Sequence, residues 1–117
     1  MKYIIDMIDD IRENIQNAED YSLLAMLLKE DSSGNLQNAG EKIVTSFTIN
    51  HDAKQLRLGF LDEKATTKEL LTYVNSLEMQ ALMYEVMVKI SSEHPLMSVI
   101  GFGENHETKQ YIFFVMT

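Results

Sequence analysis

Apolar residues in the first segment of the chain recur at the spacing of one helix face. Four isoleucines follow the i, i+4, i+7, i+11 pattern that places side chains in a single stripe: Ile4, Ile8, Ile11 and Ile15. Four carboxylates fall on the opposite side of the same helix: Asp6, Asp9, Asp10 and Glu13. The pattern predicts an amphipathic helix over residues 2–18 with an acidic outer face.

The next apolar run, residues 22–29 (SLLAMLLK), is compatible with two structures. Leu, Ala and Met favour a helix, whereas a short apolar run that ends at a turn is also typical of a buried strand. We favour the strand, because residues 17–20 interrupt the helical stripe. Residues 31–35 (DSSGN) then predict a turn.

Two β-hairpins are predicted from β-branched and alternating runs. The first joins residues 43–49 to residues 55–61, and the second joins residues 97–102 to residues 111–116. The last run (YIFFVM) has no polar position. Such a sequence is typical of a central strand that is covered on both faces of its sheet.

A long helix is predicted between the two hairpins. Thr66 and Glu69 fit a capping box, and Pro95 limits any extension, so the helix should run from residue 66 to about residue 92. One continuous apolar stripe suits packing on a sheet: Leu70, Val74, Leu77, Ala81, Tyr84 and Val88.

A second apolar stripe appears on nearly the opposite side of this helix: Met79, Met83, Val86, Met87 and Ile90. In one interpretation the N-terminal helix covers it, so that both stripes belong to one core. In the other, Met79, Met83 and Met87 line an interface with a partner or with a second copy, because methionine-rich surfaces adapt to what they bind. The sequence leaves both open.

Together these elements predict a single α+β domain over residues 1–117, in the order α-β-β-β-α-β-β. We expect an antiparallel sheet of four to five strands, with the N-terminal amphipathic helix and the long central helix packed on it. A chain of this length fits one domain. Cysteine is absent, which excludes disulfides and thiolate metal sites.

Charge narrows the possible partners. The chain has eighteen acidic and ten basic residues, which gives a formal net charge of −8. This charge disfavours nucleic acid and anionic membranes and attracts basic proteins. Residues 1–20 interleave Ile with Asp, unlike the continuous apolar run of a secretory signal, so we expect a cytoplasmic protein.

No residue grouping has the spacing of a reaction centre. His51, His94 and His106 are not at zinc-ligand spacing, and Glu104, His106 and Glu107 are expected to form a solvated polar turn. The HExxH and GxSxG motifs are absent. We therefore predict no catalytic residue, no metal and no cofactor.

Two functional hypotheses follow. The first is an immunity- or antitoxin-type inhibitor that occludes a basic toxin or nuclease by stoichiometric binding, with the acidic stripe steering the encounter. Its predicted partner-binding residues are Asp6, Asp9, Asp10, Glu13, Met79, Met83 and Met87. The alternative is a secretion-chaperone-like or assembly protein that acts as a homodimer through the methionine-rich surface. A plain solvated face is the structural alternative for the carboxylates.

Overall fold

The computed structural model describes residues 1–16, 19–59, 65–89 and 95–116. Within them the chain forms two α-helices, one 3₁₀ helix and seven β-strands. The helices are α1 (Ile4–Asn14), α2 (Thr67–Asn75) and the 3₁₀ helix (Met79–Met83). The strands are β1 (Ser22–Glu30), β2 (Leu36–Val44), β3 (Ser46–Asn50), β4 (Gln55–Gly59), β5 (Glu85–Val88), β6 (Met97–Asn105) and β7 (Gln110–Met116).

The strands form one mixed sheet in the order β2-β1-β7-β6-β5-β4-β3. The pairs β1–β7 and β4–β5 are parallel, and the other neighbours are antiparallel. β2 and β3 occupy opposite ends of this order although only Thr45 separates them. A flat sheet of seven strands would hold its edges about 29 Å apart, whereas one residue spans less than about 4 Å. The sheet is therefore strongly curved, so that the end of β2 comes close to the start of β3.

The predicted sheet of four to five antiparallel strands is wrong, and so is the order α-β-β-β-α-β-β. β2 was missed because eight of its nine residues are exposed and its sequence (LQNAGEKIV) has no apolar alternation. Backbone pairing with β1 holds it in place. The two parallel pairs join strands that are distant in the chain, and no local pattern indicates such pairing.

The predicted long helix over residues 66–92 is also wrong. Thr66 does cap α2, since its hydroxyl accepts a hydrogen bond from the Glu69 backbone N–H. The helix ends at Asn75, and the Ser76 hydroxyl donates to the carbonyl of Tyr73 at 2.6 Å. The later part of the predicted helix forms β5, which pairs with both β4 and β6.

One apolar core lies between the helices and the inner face of the sheet. α1 contributes Ile4, Ile8 and Ile11 to it, and α2 contributes Leu70 and Val74. The sheet contributes alternate residues of its strands: Leu23, Ala25, Leu56, Leu58, Val86, Val88, Val99, Tyr111, Phe113 and Val115. Among the described residues, three further buried apolar side chains are outside this core cluster: Leu24, Met87 and Ile112. The sheet thus has a second, outer face that is also partly apolar.

Candidate protein-docking surface

α1 presents a row of carboxylates to solvent because its other side is fixed in the core. Ile4, Ile8 and Ile11 are almost completely buried, as the isoleucine spacing predicted. Asp6, Asp9 and Glu13 are exposed on the opposite side, and they are called the acidic face below. Asp6 also accepts a hydrogen bond from the Tyr3 backbone N–H at 2.9 Å, which caps the start of the helix. A carboxylate in this first turn is favoured by the helix dipole.

Asp10 forms hydrogen bonds within the fold and is not part of the acidic face. It is half-buried, and its carboxylate accepts a hydrogen bond from the Tyr111 hydroxyl at 2.7 Å and another from Asn14 at 3.1 Å. Tyr111 lies on β7, an interior strand of the sheet, 101 residues away in the chain. The prediction that all four carboxylates share one solvent-facing stripe is therefore corrected at this position.

A groove with a volume of about 440 Å³ opens at the C-terminal end of α1. The residues that line it include Arg12, Glu13, Gln16, Glu19, Tyr21 and His106. The Tyr21 hydroxyl donates to Glu19 at 3.0 Å and lies 2.5 Å from Nδ1 of His106. The Tyr21 and His106 rings meet edge to face, with centroids 5.6 Å apart. We call this the α1-end groove.

The α1-end groove carries negative charge beyond the residues that line it. Burial raises the pKa of the Tyr21 phenol, and the Glu19 hydrogen bond and the charges of Glu19 and Glu104 raise it further. Burial likewise raises the pKa of the Tyr111 phenol, with further contributions from Asp10 and Glu104. Both phenols therefore stay neutral and can donate hydrogen bonds to these carboxylates.

Alkaline pH is expected to destabilise the protein through these two phenols. A phenol whose pKa is raised in the folded state stabilises the folded protein. This stabilisation is fully present below the pKa of the unfolded chain, 10.0, and it is lost progressively as pH rises above that value. For Tyr111 the loss is about 1.4 kcal/mol per pH unit. Urea unfolding at several pH values above 10 measures the slope. Tyr111→Phe should have a shallower slope, and a slope equal to that of the wild type would contradict the assignment.

The contacts around Tyr21 were not predicted from the sequence. Glu19 and Tyr21 precede β1, whereas His106 lies 85 residues later in the turn between β6 and β7. The parallel pairing of β1 with β7 brings the two segments together. The sequence does show polar residues before each of these two apolar strands. It does not show that the two polar segments lie side by side, because that depends on the strand order.

The three predicted methionines do not form one surface. Met79 and Met83 lie on the 3₁₀ helix and are 85% and 64% exposed. The 3₁₀ helix packs against α1, and the Ile4 backbone N–H donates to the carbonyl of Tyr84 at 2.9 Å just beyond it. Met87 is buried in β5, where its sulfur accepts a hydrogen bond from the Ser98 hydroxyl at 3.6 Å. Two exposed methionines therefore neighbour the N-terminal part of α1, and the third belongs to the outer face of the sheet.

The turn at residues 105–109 is polar and internally hydrogen-bonded. The Asn105 side chain accepts from the backbone N–H groups of Glu107 and Thr108 at 3.0 and 3.2 Å. Within the described ranges, no three His, Asp or Glu side chains come together in an arrangement that could hold a metal ion. No helix in the same ranges is long and apolar enough to cross a membrane.

Comparison of the chain with protein-family models, with curated proteins and with solved structures returned no match.

Proposed function

We propose that this chain is a non-enzymatic protein-binding protein that docks a basic partner on α1 and on the elements beside it. The observation that carries the proposal is the arrangement along α1. The 3₁₀ helix with Met79 and Met83 lies beside its N-terminal part, the acidic face runs along it, and the α1-end groove lies at its C-terminal end. Such a surface offers charge and an apolar anchor together.

The carboxylates and the methionines of this surface have different roles in the proposed mechanism. Exposed carboxylates raise the association rate with a basic protein and select for it. Met79 and Met83 supply apolar area that a partner can bury, and an unbranched thioether adapts to the shape of the partner. Affinity then comes mainly from the buried anchors, whereas rate and selectivity come from the charges.

An immunity- or antitoxin-type inhibitor is the function that fits this surface best. Toxins and nucleases that act on nucleic acid carry positive grooves for their substrate. A compact chain with a net charge of −8 can occlude such a groove by stoichiometric binding. We further propose a cytoplasmic location, as the sequence indicates.

A secretion-chaperone-like or assembly protein is the second candidate, because Met79 and Met83 are so exposed. In that function the methionines hold an apolar client segment, and the carboxylates only keep the complex in solution. Salt separates the two candidates. Association that is steered by charge slows as ionic strength rises, whereas apolar association does not.

Neutralising the acidic face is expected to slow the association with a basic partner roughly tenfold at low salt. The test variant is Asp9→Asn with Glu13→Gln, and the partner is the protein that co-purifies stoichiometrically with the wild-type chain from native cell extract. Association rates are measured by surface-based kinetics at several salt concentrations. Inhibition of the partner's own activity at a one-to-one ratio tests the inhibitor assignment directly.

The matched control removes the same charge elsewhere. Glu30 and Glu41 are exposed on β1 and β2, so Glu30→Gln with Glu41→Gln makes an equal change in net charge away from α1. We expect this control to keep most of the association rate. An equal loss in both variants would mean that total charge matters and that the acidic face does not.

A further inference from the structure

β1 and β7 are parallel neighbours whose side chains are apolar on both faces of the sheet. β1 carries the run LLAMLL and β7 the run YIFFVM. Parallel strands of this composition are normally covered on both faces. Among the described residues, the helices α1 and α2 cover only the inner face, where Leu23, Phe113 and Val115 join the core. The composition of these two strands therefore calls for a second cover on the outer face.

The outer face has an apolar patch centred on β1 and β7, where the strand register aligns its residues in rows. Leu24 lies between Ile43 and Ile112, and Met26 lies beside Phe114. In the patch, Leu24, Ile112 and Met87 are buried, Met26, Leu28, Phe114 and Met116 are half-buried, and Ile43 and Ile100 are 45% and 39% exposed. We call these residues the outer patch.

Two glycines of β6 let a phenylalanine ring of the outer patch lie close to the sheet. Phe114 pairs with Gly101, and its ring also lies over Gly103, where an added Cβ would be only 2.8 Å from the Phe114 Cε2 atom. The phenylalanine ring thus lies along β6 instead of projecting from the sheet. An apolar face without projecting side chains at this point is suited to packing against another sheet, which in β-sandwiches lies about 10 Å away.

The charges around the outer patch favour a second copy of the chain as its cover. The acidic face is on α1, on the other side of the sheet, so two outer patches can meet without bringing those carboxylates together. Both signs occur at the margin of the patch: Glu41 lies opposite Met26 on β2, and Arg57 lies opposite Met87 on β4. An apolar face with both signs at its margin can be self-complementary, as a two-fold interface requires.

We propose that two copies of this chain associate through their outer patches, sheet against sheet, in a two-fold symmetric dimer. The dimer covers Phe114, Ile112 and their neighbours on the outer face. It leaves α1 of each copy facing outwards, so that it presents two acidic faces on opposite sides. The dimer is independent of the docking function of α1 and stands whether or not that function is correct.

Sedimentation equilibrium over a range of concentrations tests the proposal. The wild-type chain should sediment as a dimer. Ile43→Asp with Ile100→Asp should raise the dimer dissociation constant at least tenfold, because both side chains are exposed in a single copy and would be buried between copies. Met79→Asp with Met83→Asp is the matched control, since it places two carboxylates at exposed positions on the 3₁₀ helix, and it should leave the dimer intact.

Circular dichroism melting checks that the variants are folded, and Ile43→Thr with Ile100→Thr provides a milder change that keeps β-branched residues in the strands. This milder variant should also weaken the dimer. A wild-type chain that stays monomeric at the highest soluble concentration would overturn the proposal. So would a dimer that the methionine variant dissociates and the isoleucine variants do not, because the 3₁₀ helix would then be the interface.

Discussion

A chain that lacks residues 111–117 is expected to be unfolded. These residues include nearly all of β7, which pairs with β1 on one side and with β6 on the other. The deletion breaks both ladders at the centre of the sheet and removes Tyr111, Phe113 and Val115 from the core. Burial of each such side chain contributes about 1.5–3 kcal/mol. The combined loss is comparable to the whole net stability of a domain, which is about 5–15 kcal/mol.

Circular dichroism and solubility after expression measure this outcome. The control deletes residue 117 alone and keeps all of β7, and it should melt cooperatively near the wild-type temperature. Soluble truncated protein with a cooperative melting transition would contradict the central position of β7 in the sheet.

Sequence patterns predicted the elements whose stability depends on burial along one local face. The isoleucine stripe located α1, the apolar run at residues 22–29 located β1, and the last hairpin appears as β6 and β7. For α1 the periodicity of the isoleucines matches the face that the core covers, whereas β1 and β7 were located by continuous apolar runs. Local patterns were sufficient there because each of these segments places apolar side chains of its own in the core.

β2 and β5 could not be predicted in the same way. β2 is stabilised by hydrogen bonds to β1 while its side chains remain in solvent, so its sequence carries no burial pattern. β5 carries Val86 and Val88, which alternate as a strand requires, but Tyr84 and Val88 also continue a helical stripe from α2. The strand is favoured because β5 pairs with β4 on one side and with β6 on the other. β4 is separated from β5 in the sequence by α2 and the 3₁₀ helix, so its pairing gives no local signal.

The candidate docking surface was predicted in part for the same physical reason. Helical periodicity placed Asp6, Asp9 and Glu13 opposite the buried isoleucines, and they are exposed there. Their role in binding stays a prediction. Asp10 was misplaced because its partner Tyr111 comes from a strand at the other end of the chain. The α1-end groove depends on the β1–β7 pairing and therefore could not be found before the strand order was known.

Phe113 and Phe114 provide a matched pair that separates the core from the outer patch. They are consecutive on β7, and their side chains point to opposite faces of the sheet. Phe113 is fully buried beneath the helices, where its ring packs edge to face on Tyr111 with centroids 5.3 Å apart. Phe114 is half-buried over Gly103. The same substitution at the two positions therefore tests both faces of one strand.

Phe113→Ala is expected to lower the free energy of unfolding by about 3–5 kcal/mol, because it leaves a cavity in the core. Phe114→Ala should lower the free energy of unfolding by only about 1 kcal/mol at low protein concentration, where single copies dominate. This difference from the wild type should grow with protein concentration. Dimer formation stabilises the wild type, and the variant loses part of that stabilisation. Urea unfolding across a concentration series measures both. Equal losses that do not change with concentration would mean that a single copy already covers its own outer face.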